Sequence, residues 1–127
     1  MTRLLMVTHQ GIGEALLEVA RTIVGQRPDV ATFEVDPDAD ASAVEGELAR
    51  WLEAHRLQAP LLLLTDLPGA TPHNLAVRVA PPSVPVVAGI NLGMLLRAIN
   101  HADHPPDELA ERAVVGGRRA ILRVDDA

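Results

Sequence analysis

The 127-residue chain has no cysteine and no tyrosine, and only one tryptophan and one phenylalanine. Without thiols there is no disulfide framework and no thiolate chemistry. Aromatic residues make up 2% of the chain. That argues against a base-stacking nucleic-acid binder, which needs aromatic platforms. Basic charge is also scarce: the net charge is -6 with histidine neutral. This disfavours nucleic acid or an anionic membrane as the main partner, while a basic protein surface stays compatible. No apolar run approaches the ~20 residues of a membrane span. The opening "MTRLLMVTHQGIGEALL" has neither the apolar region nor the cleavage site of a signal peptide. The expectation is a soluble cytoplasmic protein.

What the chain does have is aliphatic bulk. Hydrophobic residues make up 48% of it, so a core of Leu, Val, Ile and Ala is expected. Such a core suits a sheet covered by helices, here a single domain over residues 1–127. Apolar runs of strand length stand at 3–8, 30–35, 60–65 and 84–90, and "RRAILRV" at 118–124 reads as a last short strand. The run "PLLLLT" does not alternate, which predicts a strand buried on both faces. Helical periodicity marks 12–24, with a stop at 25–29, and then 41–57. A third helix is expected from near Pro72, a fourth from the N-cap candidate Asn91, and a fifth over 105–117 closed by a Gly pair. Alternating strands and helices predict an α/β three-layer sandwich with a mostly parallel sheet of order 2-1-3-4. The final strand, detached behind the Gly pair, could pair with its own sheet or with a neighbouring subunit. Trp51 and Phe33 are expected in the core.

In open parallel sheets, ligands sit outside the carboxyl ends of the strands, where the strand order reverses. His9 lies just past the first strand and Asp66 just past the third, so this order makes them neighbours at the switch point. A neutral imidazole can attack phosphorus with one ring nitrogen while the other holds the proton. A carboxylate accepting that proton's hydrogen bond fixes the tautomer and steadies the ring as it becomes cationic. Gly11 and Gly13 would let backbone amides approach a phosphoryl group at a helix start. Thr71, in "GATP", offers a hydroxyl at another helix start. Thr8, His73 and Asn74 are candidate supports. No Lys or Arg lies in either motif, which suits a group that must be passed on and not clamped.

Each feature alone has a plainer reading. A histidine or aspartate at a strand end is commonly structural or a helix cap, and "GIG" lacks the full dinucleotide fingerprint. His55 ends a helix, and His101 and His104 fall in a connection where solvent is expected. His73, with His9 and Asp66, would make a site of two imidazoles and a carboxylate for a metal, but no tight ligand spacing supports it. Neither metal nor cofactor is therefore expected.

The ordered motifs resemble a known family. "VTHQGIGEALLEVA" is similar to the active-site histidine segment, commonly "THGGFGEALL", of the mannose-type enzyme IIA proteins of the bacterial phosphoenolpyruvate-dependent sugar phosphotransferase system. "LLLLTDLPGATPHNLA" resembles that family's "DLFGGTPFNAA" stretch, and "VVAGINLGMLLRAI" its "GVNLPMLLEAL" stretch. The resemblance implies a phosphohistidine carrier. His9 would accept a phosphoryl group on Nε2 from the protein HPr and pass it to an enzyme IIB partner or, by its phosphorylation state, signal to a regulatory target. It implies that Asp66 bonds the other ring nitrogen and that Thr71 lies by the phosphoryl group. It also implies a homodimer that exchanges the last strand. Gln10, Ala70, His73 and Gly93 depart from the pattern, standing where Gly, Gly, an aromatic and Pro are usual.

Two other classes compete. A receiver-type module would carry phosphate on Asp66, but it needs an acidic pair after the first strand and a late lysine. Here the strand ends in Thr8-His9, and the late basic residues are Arg118, Arg119 and Arg123. A small-molecule or metal-binding regulatory module would use the same cleft with His73 as a ligand.

Overall fold

The computed structural model describes residues 1–25 and 28–126. The first strand, β1 (Arg3–His9), leads into helix α1 (Ile12–Val24). Gly25 ends that helix in the left-handed region, its amide bonded to Arg21 O. Gln26 and Arg27, within the expected stop, lie outside the described residues. Then follow β2 (Val30–Val35), α2 (Ala41–His55), β3 (Leu61–Thr65), α3 (Thr71–Val79), β4 (Val86–Ala88), α4 (Leu92–Asn100) and α5 (Pro106–Arg119).

The sheet has the expected order, β2-β1-β3-β4, and all its pairings are parallel. Alternation along β1 sends Leu4 and Met6 to one face and Leu5 and Val7 to the other. The first pair joins Leu17 and Ala20 of α1, Met94, Leu95 and Ala98 of α4, and Leu109 and Ala113 of α5. The second joins Val44, Leu48 and Leu52 of α2 with Leu75 and Ala76 of α3. β3 contributes to both layers, and all five of its residues are buried. Each fully buried leucine there is worth about 1.5–3 kcal/mol, so the strand that ends beside Asp66 is among the best anchored. Phe33 and Trp51 are only partly buried against the second cluster. Trp51 instead stacks on His55 at a ring separation of 3.9 Å.

One expectation fails at the C-terminus. The Gly pair does not close α5, which runs through Gly116 and Gly117 to Arg119. Both glycines are buried against α4: a Cβ on Gly116 would lie 2.5 Å from Arg97 Cβ, and one on Gly93 would lie 2.5 Å from Ala120 Cβ. The glycines let two helices cross closely, and Gly93, which stands where the resembled stretch usually has Pro, belongs to that crossing. The segment 118–124, expected as a strand exchanged with a neighbouring copy, makes no strand within the single chain, and its first two residues, Arg118 and Arg119, belong to α5. Residues 121–123 have no regular structure, and Val124–Asp126 make one 3-10 turn. A strand needs a partner ladder, and within the single chain this segment pairs with none. Ile121, Leu122 and Val124 are left exposed.

Candidate functional site

β1 and β3 are adjacent and in register, Val7 beside Thr65, so the residues following them emerge together at the rim of the sheet. His9 and Asp66, 57 residues apart in the chain, meet there. Asp66 Oδ2 lies 2.6 Å from His9 Nδ1 and accepts the His9 backbone N–H at 2.8 Å. Its other oxygen accepts the amide of Leu67 at 2.9 Å. Burial pushes the Asp66 carboxyl up, but the hydrogen bonds from the His9 amide, the His9 ring and the Leu67 amide, with attraction to the imidazole, outweigh it. The net effect holds Asp66 below its ordinary value of 3.8. The carboxylate is therefore ionised at neutral pH and accepts Nδ1–H, leaving the lone pair on Nε2. The Asp66 side chain is 8% exposed and that of His9 is 45% exposed. The acid is shielded while the imidazole faces solvent.

The turn after His9 is built by backbone constraints. Gly11 adopts φ +96°, a left-handed conformation that side chains disfavour. The hydroxyl of fully buried Thr8 donates to His9 O at 2.9 Å and accepts Gly13 N–H at 3.0 Å. A Cβ at position 13 would press on Thr8 Oγ1 at 3.2 Å, so glycine allows α1 to start this close to the strand. The amides of Gly11 and Glu14 donate to the two carboxylate oxygens of Glu34, at 3.1 and 2.8 Å. The Gly11 and Gly13 amides, expected as donors to a bound group, are thus engaged within the protein. Sequence reasoning missed Glu34. Its signal lies in the register, which sets Thr8 beside Glu34, and is legible only once β1 and β2 are paired.

The start of α3 is different. Its N-cap, Ala70, has no side chain to cap it. The amides of Thr71 and His73 donate to nothing among the described residues, and neither does the exposed Thr71 hydroxyl. Gly69, at φ +87°, turns the chain into this helix. Asn74 reaches back from the first turn, its side-chain amide donating to Gly69 O at 3.0 Å. His73 bonds Thr65 Oγ1 through Nδ1 at 2.8 Å and makes no hydrogen bond to His9 or Asp66. Among the described residues no group of three His, Asp or Glu side chains is arranged to hold a metal ion. His55 Nδ1 bonds the Trp51 carbonyl. His101 and His104, expected in solvent, are half-buried, and His104 Nδ1 bonds His101 O. No helix among the described residues is long and apolar enough to cross a membrane.

Residues 3–114 match the family described as "PTS system fructose IIA component". Among solved structures, the chain is similar to the mannose/sorbose specific IIA subunit of the phosphotransferase system from Enterococcus faecalis. Identity is 32%, over 96% of this chain and 93% of that one, with a TM-score of 0.87. The fold is also shared with phosphotransferase system component EIIA from Streptococcus agalactiae, at 22% identity over 100% of both chains and a TM-score of 0.85. The PTS IIA protein associated with the fucose utilization operon from Streptococcus pneumoniae aligns over 98% of this chain and 94% of that one, at 22% identity and a TM-score of 0.83. No curated protein matches the chain.

Proposed function

The chain belongs to the mannose/fructose-type IIA family of phosphotransferase-system components, and from that premise we propose that His9 is its phosphoryl carrier. His9 Nε2 takes the phosphoryl group from the phosphohistidine of HPr and delivers it to an enzyme IIB partner. In the first transfer the donor N–P bond breaks as the Nε2–P bond forms. The proton stays on Nδ1, and Asp66 stabilises the positive charge that develops on the ring. The second transfer reverses this at Nε2, and the ring returns neutral.

The observation that carries this reading is the bond from His9 Nδ1 to the buried, ionised Asp66, which leaves the Nε2 lone pair on an exposed ring. The oxygens of the phosphoryl group would be received by the Thr71 hydroxyl and the open amides at the start of α3, where the helix dipole favours negative charge. Gly11 and Gly13 shape the turn that presents His9. Asp66 suits a supporting role better than that of acceptor, because both its oxygens already accept hydrogen bonds.

The test is incubation with phosphoenolpyruvate, enzyme I and HPr, followed by mass-spectrometric mapping of the label. An acid-labile, base-stable phosphate on residue 9 is expected, absent in His9→Ala. Label retained by that variant, or a base-labile phosphate on Asp66, would overturn the assignment.

The unpaired edge of β4 and the exposed apolar residues Ile121, Leu122 and Val124 support a second element of the proposal. Two copies associate, and the last segment of each forms a strand on the other's sheet edge. Light scattering on the whole chain and on one ending at Arg119 tests it. A dimer that survives the truncation would refute the exchange.

A further inference from the structure

A second imidazole stands at the site without contacting the first. His73 lies in the first turn of α3, and its Nδ1 is 2.8 Å from the hydroxyl of Thr65, the last residue of β3 before Asp66. Thr65 is 0% exposed, and its hydroxyl has no other hydrogen-bond partner among the described residues. The direction of this bond decides the tautomer. If Nδ1–H donated to Thr65, the threonine's own hydroxyl hydrogen would be buried with no acceptor, which is costly. If the hydroxyl donates to Nδ1, both groups are satisfied. The proton of His73 is then on Nε2. No buried side-chain nitrogen or oxygen among the described residues lacks a partner, so Nε2, which has none, opens to the surface as an N–H donor.

The same bond has a mechanical consequence. α2 and α4 are started by side-chain caps, Asp40 accepting Ala43 N–H and Asn91 accepting Met94 N–H, and α1 is started by Glu34 and Thr8. Each of those caps consumes first-turn amides. α3 has no such cap. Its start is held by two ties that leave the amides of Thr71 and His73 free: Asn74 to Gly69 O and His73 to Thr65. Only the second anchors the turn to a strand, and that strand leads directly into Asp66.

We propose that His73 is a positioning residue. Its bond to Thr65 sets the uncapped first turn of α3 against the end of β3, and it locks His73 as the Nε2–H tautomer, opposite to His9. Of the two imidazoles, His9 alone then presents a lone pair at Nε2, and His73 is a donor and not a second acceptor of the phosphoryl group. The mechanical part rests on the carrier function proposed above; the tautomer part does not.

The experiment joins two readouts on the whole chain. Nitrogen NMR of labelled imidazoles at alkaline pH should find His73 protonated at Nε2 and His9 at Nδ1. In Thr65→Val the His73 signals should move toward a mixture of tautomers. Single-turnover transfer from phospho-HPr should slow roughly tenfold with KM for phospho-HPr unchanged. Thr65→Ser, which keeps the hydroxyl, should restore both readouts. His73→Phe should slow transfer as Thr65→Val does, and the double variant should be no slower than either, because one bond is removed twice. Wild-type His73 protonated at Nδ1, a tautomer unmoved by Thr65→Val, or additive rate losses would overturn the proposal. If wild-type protein takes no phosphoryl group, the carrier reading fails, and the NMR result alone then decides the tautomer.

Discussion

Asp66 Oδ2 accepts from two parts of His9, the backbone N–H at 2.8 Å and ring Nδ1 at 2.6 Å. One oxygen thereby sets both where the residue sits on the rim and how its ring is turned. Asp66→Asn keeps the shape but removes the charge, and it sets an NH2 donor where an oxygen now accepts from either His9 or the Leu67 amide. Transfer from phospho-HPr is expected to slow about 100-fold or more, the scale of losing a positioned acid–base partner. Rapid-quench measurement of a single turnover checks the rate, and circular dichroism should find the fold intact. An unchanged rate would remove Asp66 from the mechanism.

The same pair makes a pH signature. Asp66 is held below 3.8 in the folded chain, so as pH falls past that value the unfolded state takes up the proton first. Stability contributed by this carboxylate is full above the unfolded value and is lost as pH falls through the lowered folded one. Urea denaturation across the acid range should therefore give a steeper loss for wild type than for Asp66→Asn. Parallel curves would mean that Asp66 gains nothing from its partners on folding.

How much of this was legible beforehand follows from the range of each interaction. Strand order and the meeting of His9 with Asp66 follow from hydrophobic runs and the rule for parallel sheets, because β1 and β3 carry apolar residues that can only be central. Glu34 was not legible: its role depends on register between two strands, and in sequence it is one acidic residue in a weakly alternating run. Gly116 and Gly117 were misread because a Gly pair near a helix end suits a stop as well as a close crossing, and only the facing helix distinguishes them. The segment after Arg119 carries a strand pattern, but a pattern does not supply the neighbour that a strand requires.

Glu34 offers a separate test of the turn that presents His9. Its two oxygens cap α1 through the amides of Gly11 and Glu14. Glu34→Ala removes both acceptors and is expected to cost about 1 kcal/mol, as loss of a cap does. Glu34→Gln keeps one acceptor and should cost less. Chemical denaturation of the two variants and wild type measures the order, and equal stability of all three would show that the cap contributes nothing.

The α4–α5 crossing sets two opposing effects against each other. Replacing a mid-helix glycine by alanine gains up to about 1 kcal/mol in helix propensity, while forcing a methyl into a packed interface costs about 1–3 kcal/mol. At Gly116 the new Cβ would fall 2.5 Å from Arg97 Cβ and 2.8 Å from its Cγ. Arg97 Cβ is fixed by the backbone and cannot swing aside, so the helices must separate. At Gly117 the nearest atom is the terminal methyl of Met94, at 2.9 Å, with Met94 Cβ at 3.3 Å. A flexible thioether can move its end. Gly116→Ala should therefore lower the melting temperature clearly, while Gly117→Ala should stay close to wild type. Thermal denaturation followed by circular dichroism separates them. If Gly116→Ala melts at or above the wild-type temperature, the crossing tolerates a methyl and close approach is not why glycine stands there.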